Sequence, residues 1–212
     1  MEKSSYLPLI SEFRRFFFLP LEKVWITPEM VQYGKKALNC HQISEIRYGA
    51  SLLMEGNKNL KNIYVIGIKD RANKKIMISL VSSFLTSNKT KDERESLYQK
   101  LISALWEAVG NQIFKDLLTQ LTSGKNVRIG PCEVTTKGLN LTYRRWFIKR
   151  TDFIPWDQCL KESSNGSLHI WSKDNEKIKV SLKYLKVWNA VVLHSLLDFL
   201  WEDGRAYQLQ QL

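Results

Sequence analysis

Apolar and polar residues alternate over short stretches through most of the chain, and twice the alternation gives way to an apolar stripe of helical period. In the first half, Phe13 to Leu19, Val24 to Tyr33, Ile43 to Tyr48, Ile63 to Ile68 and Ile76 to Val81 read as strands. A helix follows over 93–109, where Leu97, Leu101, Leu105 and Val109 fall four apart. Thr90 and Glu93 have capping-box spacing. Gly110-Asn111 permits a kink, Ile113 to Leu121 continues the helix, and Gly124 is its expected stop. The second half repeats the sequence of patterns. Val127-Arg128-Ile129, Glu133 to Thr142, Trp146 to Trp156, Leu168 to Trp171 and Ile178 to Leu182 suit strands, with a turn at Gly130-Pro131. Asn189 then opens a helix running to about Asp203, with Gly204 as its stop.

The two halves also echo each other in residues. Lys74 to Leu80 matches Glu176 to Leu182, and each follows a Lys-Asp pair, Lys69-Asp70 and Lys173-Asp174, that reads as a hairpin turn. Ala104-Leu105-Trp106-Glu107 matches Phe199-Leu200-Trp201-Glu202, and Ile43-Ser44-Glu45-Ile46 has a looser echo in Ile154-Pro155-Trp156-Asp157. Several short strands followed by one amphipathic helix predict a mainly β, α+β fold. Each half becomes an antiparallel β-sandwich or open barrel closed by a C-terminal helix, since an apolar sheet face needs a cover. The expected domains are 1–122, including the long linking helix, and 123–212.

Composition changes this picture little. A chain of 212 residues, 44% apolar and 25% charged, is neither low-complexity nor disordered. The net charge of +11 favours anionic partners without choosing among them. It has no basic tail: residues 1–110 hold 17 basic and 11 acidic side chains, and the remainder 15 and 10. Cys40, Cys132 and Cys159 are too widely spaced for a zinc site or disulfide framework, so no metal and no cofactor is expected. The N-x-[ST] matches at Asn88, Asn140 and Asn165 matter only in a secreted chain. No signal-like apolar core and no stretch of ~18 apolar residues occurs, so the expected location is cytoplasmic.

The run Gly124 to Pro131, then Thr136-Lys137-Gly138-Leu139, then Ile154-Pro155-Trp156-Asp157, then Trp188-Asn189-Ala190 before an apolar helix carries a resemblance. The chain resembles an uncharacterised, mainly bacterial family of tandem pleckstrin-homology (PH)-like domain proteins. That resemblance implies two bent seven-stranded sandwiches, each closed by a helix, and a binding role with no catalytic residues. The chain departs from the family pattern at Tyr143 to Thr151, which is longer and more basic than the compact hairpin expected there.

That departure is also the richest local chemistry. Tyr143-Arg144-Arg145-Trp146-Phe147-Ile148-Lys149-Arg150 places Arg144, Arg145, Lys149 and Arg150 around an exposed-looking Trp146. Arg forks match phosphate oxygens. In the PH fold, basic residues around the first hairpin hold inositol phosphates, and this run is expected in the equivalent hairpin. Read as one strand, it sends Arg145, Phe147 and Lys149 one way and Arg144, Trp146, Ile148 and Arg150 the other, up to a turn. Bases stacking on Trp146 would instead make it a nucleic-acid patch. The bland alternative is an exposed hairpin whose long stems cover apolar surface. A second cluster, Lys69, Arg71, Lys74 and Lys75, surrounds the first half's turn, where Lys guards sheet edges against aggregation. Phe13-Arg14-Arg15-Phe16-Phe17-Phe18 reads as a buried strand rather than a membrane amphipath, because three adjacent Phe cannot share a helical face. His41, His169 and His194 belong to no catalytic motif, and Cys40 and His41 would face opposite sides of a strand.

The sequence therefore predicts a non-enzymatic binding or scaffold module. Its partner is a peptide or protein, slightly favoured, or anionic lipid headgroups, with peripheral attachment at the inner membrane face in the second case. A basic nucleic-acid binder using the Arg/Trp patch is the alternative.

Overall fold

A computed structural model describes residues 8–13, 22–55, 58–83 and 88–201. The chain is mainly β, with four antiparallel sheets and a C-terminal helix, and divides into two compact units, Met1–Gln112 and Ile113–Leu212.

In the first unit, β1 (Leu9–Phe13), β2 (Glu22–Ile26), β3 (Met30–Tyr33) and β4 (Lys36–Asn39) form a four-stranded meander. A single 3-10 turn, Cys40–Gln42, leads into a second meander of β5 (Ile43–Glu55), β6 (Lys58–Asp70) and β7 (Lys75–Ser83). Helix α1 (Asn88–Leu105) and a π-helical stretch, Trp106–Gly110, follow. Inward positions alternate as a half-buried sheet requires: Val24 and Ile26, Val31 and Tyr33, Ile66 and Ile68, Ile76, Ile78 and Leu80 are buried. The helix stripe adds Tyr98, Leu101, Leu105 and Val109. The kink expected at Gly110 is a π-bulge. The Trp106 ring lies where a Gly110 Cβ would stand, 2.6 Å from it, and its indole N–H donates to the Tyr48 hydroxyl at 2.8 Å. α1 starts at Asn88, so Thr90 lies inside the helix instead of capping it.

The second unit has the same order of elements. After α2 (Asn111–Thr122) come β8 (Val127–Ile129), β9 (Cys132–Val134), β10 (Gly138–Arg145) and β11 (Ile148–Pro155) as a four-stranded meander. A 3-10 turn, Trp156–Gln158, leads to β12 (Cys159–Ser164), β13 (Ser167–Ser172) and β14 (Lys179–Lys183), then α3 (Ala190–Trp201). One core joins the inner faces of both sheets to α3: Leu139, Leu141, Ile154, Leu168, Ile170, Leu182, Leu193, Leu196 and Leu197 are all fully or almost fully buried. Leu121 of α2 belongs to this core too, so the end of the helical run assigned from sequence to the first domain packs in the second unit.

Matched turns show how closely the two frames agree. Between β2 and β3, the Thr27 N–H and Oγ1 donate to the Met30 carbonyl (2.9 and 3.3 Å), and Oγ1 accepts from the Glu29 and Met30 N–H groups. Between β9 and β10, Thr135 makes the same four bonds, donating to the Gly138 carbonyl (both 2.9 Å) and accepting from Lys137 and Gly138 N–H. Both expected Lys-Asp turns close hairpins. Arg71 N–H donates to the Gln42 carbonyl at 2.9 Å, and Lys173 N–H to the Gln158 carbonyl at 2.8 Å. The match of Ile43–Ile46 to Ile154–Asp157 is therefore out of register. The 3-10 turn Cys40–Gln42 is the counterpart of Trp156–Gln158, fixed by these backbone bonds rather than by side-chain identity.

The runs read as single strands at Val24 to Tyr33 and Glu133 to Thr142 are each broken by a Thr turn, and Trp146 opens a turn rather than a strand. β1, β4 and β12 are too short or too polar to show an alternation. Phe13 ends β1, whereas Phe16 to Phe18, Asp203 and Gly204 lie outside the described residues. Asn189 does precede α3, with a left-handed φ of 58° and its carbonyl accepting from Leu193 N–H at 2.8 Å.

Gly138 is where the second unit demands glycine. A Cβ there would stand 2.2 Å from the Ile154 carbonyl oxygen and 2.9 Å from Pro155 Cα, whereas the first unit has Met30 facing Asn39 at the corresponding pair. Gly138→Ala is expected to destabilise the chain by about 2–3 kcal/mol. The check is a shift of the urea midpoint to lower concentration, read by far-UV circular dichroism.

Candidate functional site

The two units differ most in one hairpin. β3 and β4 have four residues each and are closed by Gly34-Lys35. β10 and β11 have eight each and are closed by Trp146-Phe147. The extension carries the whole basic and aromatic run. In its own unit it is the hairpin of the third and fourth strands, not the first hairpin, which is β8–β9 with its Gly130-Pro131 turn.

Register decides where the charges point. Arg144 lies opposite Lys149, Tyr143 opposite Arg150, and Arg145 opposite Ile148. Residues directly opposite share a face. Arg144 and Lys149 therefore project from the outer face, beyond the Thr142–Thr151 pair whose hydroxyls meet at 2.9 Å. Arg145 and Arg150 project from the other face, which continues the buried row Leu139, Leu141 and Ile154. The single-strand alternation had put Arg145 with Lys149 and Arg144 with Arg150. The two-residue turn reverses the chain and regroups them. All four cations are exposed, and among the described residues none forms an ion pair.

At the end of the hairpin, Trp146 is 88% exposed, Phe147 98% and Ile148 60%. The expectation that Trp146 is exposed holds, and Trp25 is also 39% exposed, on the outer face of β2. At the hairpin's base a cleft of about 360 Å³ lies between the Gly130-Pro131 turn and the outer face. Arg128, Arg144 and Lys149 bring three cations to it, beside Thr142 and Tyr143. Tyr143 donates to Asp152 at 2.5 Å, and that bond raises the phenol pKa above its ordinary value. Arg128 has no local sequence signal, because β8 joins the site only through the sheet. The apolar tip had one: aligning Thr27 with Thr135 exposes the extra length before the next turn.

The second basic cluster is built differently. Lys69 is ion-paired with Glu45, while Arg71, Lys74 and Lys75 are exposed around the β6–β7 turn. Asp70 is buried there and accepts from Lys74 N–H at 2.8 Å, so this carboxylate shapes the turn. The counterpart of this corner in the second unit is the Lys173 turn, not the extended hairpin. The two clusters thus occupy different corners of the same frame.

The reactive residue types are engaged elsewhere. Cys40 lies in the 3-10 turn rather than a strand, buried beside an exposed His41. Burial pushes the Cys40 thiol to about 11, with Glu29 adding to the shift, and the Cys159 thiol to about 12. Cys132 moves in the same direction for the same reason. Ser163 reaches His194 only through Tyr184, whose hydroxyl meets Ser163 Oγ at 2.8 Å and His194 Nδ1 at 3.0 Å. His194 Nε2 faces Asp198 at 3.4 Å, and Asp198 pairs with Lys161. Burial lowers the His194 pKa below its usual value, with Asp198 opposing. The chain ties β12 to α3 and gives the serine no adjacent base. Among the described residues no helix is long and apolar enough to cross a membrane.

No protein-family model, no curated protein and no solved structure matches the chain.

The buried thiols lead to a direct expectation. At pH 8 iodoacetamide is expected to leave Cys40, Cys132 and Cys159 unmodified in the native chain and to alkylate all three in urea, as read by intact mass. Because an unfolded thiol ionises near 8.5 and these do so only at about 11 and about 12, their contribution to stability is intact below that lower value. It is lost as pH rises through the window, and the urea midpoint falls across it.

Proposed function

We propose that the chain is a non-enzymatic binding module of two PH-like domains, and that the extended hairpin of the second holds it on an anionic membrane surface. Two features support the domain reading. Each unit runs through a four-stranded meander, a 3-10 turn, a three-stranded meander and a helix. The Thr27 and Thr135 turns carry the same four bonds.

The observation that carries the membrane reading is the distribution of charge. Arg144 and Lys149 leave one face of the hairpin, Arg145 and Arg150 the other, around an apolar tip. Side chains on opposite faces cannot converge on one phosphate. They can all reach a plane of phosphates into which the hairpin points end-on. Each Lys or Arg at an anionic surface contributes about 1 kcal/mol, so the four supply about 4 kcal/mol, and Arg128 adds to them at the cleft. The geometry favours lipid over single-stranded nucleic acid, because Ile148, exposed next to Trp146 and Phe147 in the chain, offers no ring to stack on a base. A peptide strand could add to β11, which ends its sheet, but that mode leaves the two-faced charge pattern without a role.

Co-sedimentation of the full chain with phosphatidylglycerol-containing vesicles tests this. Wild type is expected in the pellet, and not with pure phosphatidylcholine. Arg144→Ala with Arg145→Ala is expected to weaken binding by about tenfold or more, and salt to weaken the wild type as the charges are screened. Binding to a single-stranded oligonucleotide without binding to anionic vesicles would overturn the reading.

A further inference from the structure

The two hairpins share a turn geometry but not a turn residue. In β3–β4 the first turn residue is Gly34, with a left-handed φ of 57°. In β10–β11 the same position is Trp146, with φ of 58°. That backbone region suits glycine, and a bulky side chain there is strained. Folding alone therefore selects against tryptophan at this site, and the first unit has the residue that folding prefers. Nothing in the fold compensates, since Trp146 packs on no core: it is 88% exposed and followed by Phe147 at 98% and Ile148 at 60%. Three adjacent apolar side chains in water, on a strained turn at the end of an extension, need a second medium to account for them.

The spacing of the charges sets the depth of that medium. Strand residues rise about 3.3 Å each. Arg145 and Arg144 are the first and second residues behind Trp146, and Lys149 and Arg150 the second and third behind Phe147. The charged heads therefore originate within about 10 Å of the tip, on both faces. An apolar element seated at the headgroup boundary reaches about 5–10 Å inward. With the tip at that depth, long Arg and Lys stems put their charges at the phosphates.

We propose that Trp146, Phe147 and Ile148 enter the acyl boundary of an anionic bilayer, so that the hairpin inserts rather than merely resting on the surface. This rests on the membrane reading above and adds to it the residues that hold the chain against salt. Trp146 is an anchor kept at a cost to the turn, and the cations bring the anchor to the lipid.

The experiment uses the full chain and phosphatidylglycerol-containing vesicles, some with acyl chains brominated just below the headgroup. Four expected results support insertion. Part of the wild-type binding persists at about 0.5 M salt, where the screening length is only a few Å. Bromolipid quenches tryptophan fluorescence. Trp146→Phe keeps the binding and loses most of the quenching. Trp146→Gly unfolds at a higher temperature than wild type, which shows it folded, yet binds about tenfold or more weakly. If wild type binds but is released entirely by salt, is not quenched, and is matched by Trp146→Gly, insertion is overturned while surface docking stands. If wild type does not bind anionic vesicles at all, both readings fall, and capture of a single-stranded oligonucleotide by the same hairpin would name the replacement.

Discussion

Each unit depends on sealing two small sheets with one helix. A three- or four-stranded sheet with one apolar face leaves that face in water until another element covers it. In the second unit Ala190, Leu193, Leu196, Leu197 and Leu200 of α3 join the core formed by both inner faces, each at most 1% exposed. Trp201 at its end packs edge-on against Trp156 of the 3-10 turn, with ring centroids 5.1 Å apart. In the first unit the stretch after α1 likewise packs against the Cys40–Gln42 turn, and Trp106 bonds Tyr48 of β5. The helix end thus locks onto the point where the chain passes from one sheet to the next. A tryptophan suits that point, having a broad apolar face and one donor to satisfy.

Given this frame, the hairpin ends are free to vary. The fully buried core ends at Leu139, Leu141 and Ile154, Tyr143 packs partly buried against it, and from Arg144 to Arg150 every residue is exposed. The first unit stops there with Gly34-Lys35, and the second continues to Trp146-Phe147. The extension is held together by ladder bonds, the Thr142–Thr151 pair and the Tyr143–Asp152 bond. Its stability is borrowed from the sheet at its base, while its side chains are released from packing.

The same distinction sorts the charge. Lys23 pairs with Glu12, Lys69 with Glu45 and Lys161 with Asp198, each between neighbouring strands or between strand and helix. Those cations belong to the surface of the fold. The cations of the extended hairpin have no acidic neighbour within ion-pair reach among the described residues, because the hairpin leaves the sheet that would supply one. A net charge of +11 spread evenly over both halves thus conceals a hairpin that gathers four unpaired cations around an exposed apolar tip.

The sequence by itself determined the class of fold. Alternation at Ile76, Ile78 and Leu80 and at Val180 and Leu182, with the α1 and α3 stripes after them, requires sheets covered by helices, because only that arrangement takes those side chains out of water. It also marked the basic run, since charge and aromatic content are local properties. What it left open were the relations set by pairing. A strand of three or four residues such as β8 or β4 carries too few positions to show a period, and the two-residue turn at Trp146-Phe147 cannot be seen in an alternation that runs straight through it. Only the tertiary structure decided that Arg144 joins Lys149, that Arg145 joins Arg150 on the opposite face, and that Arg128 reaches the cleft. The reason is geometric: side-chain direction has a period of two along a strand, so a single turn placed one residue away moves every charge beyond it to the other side of the sheet.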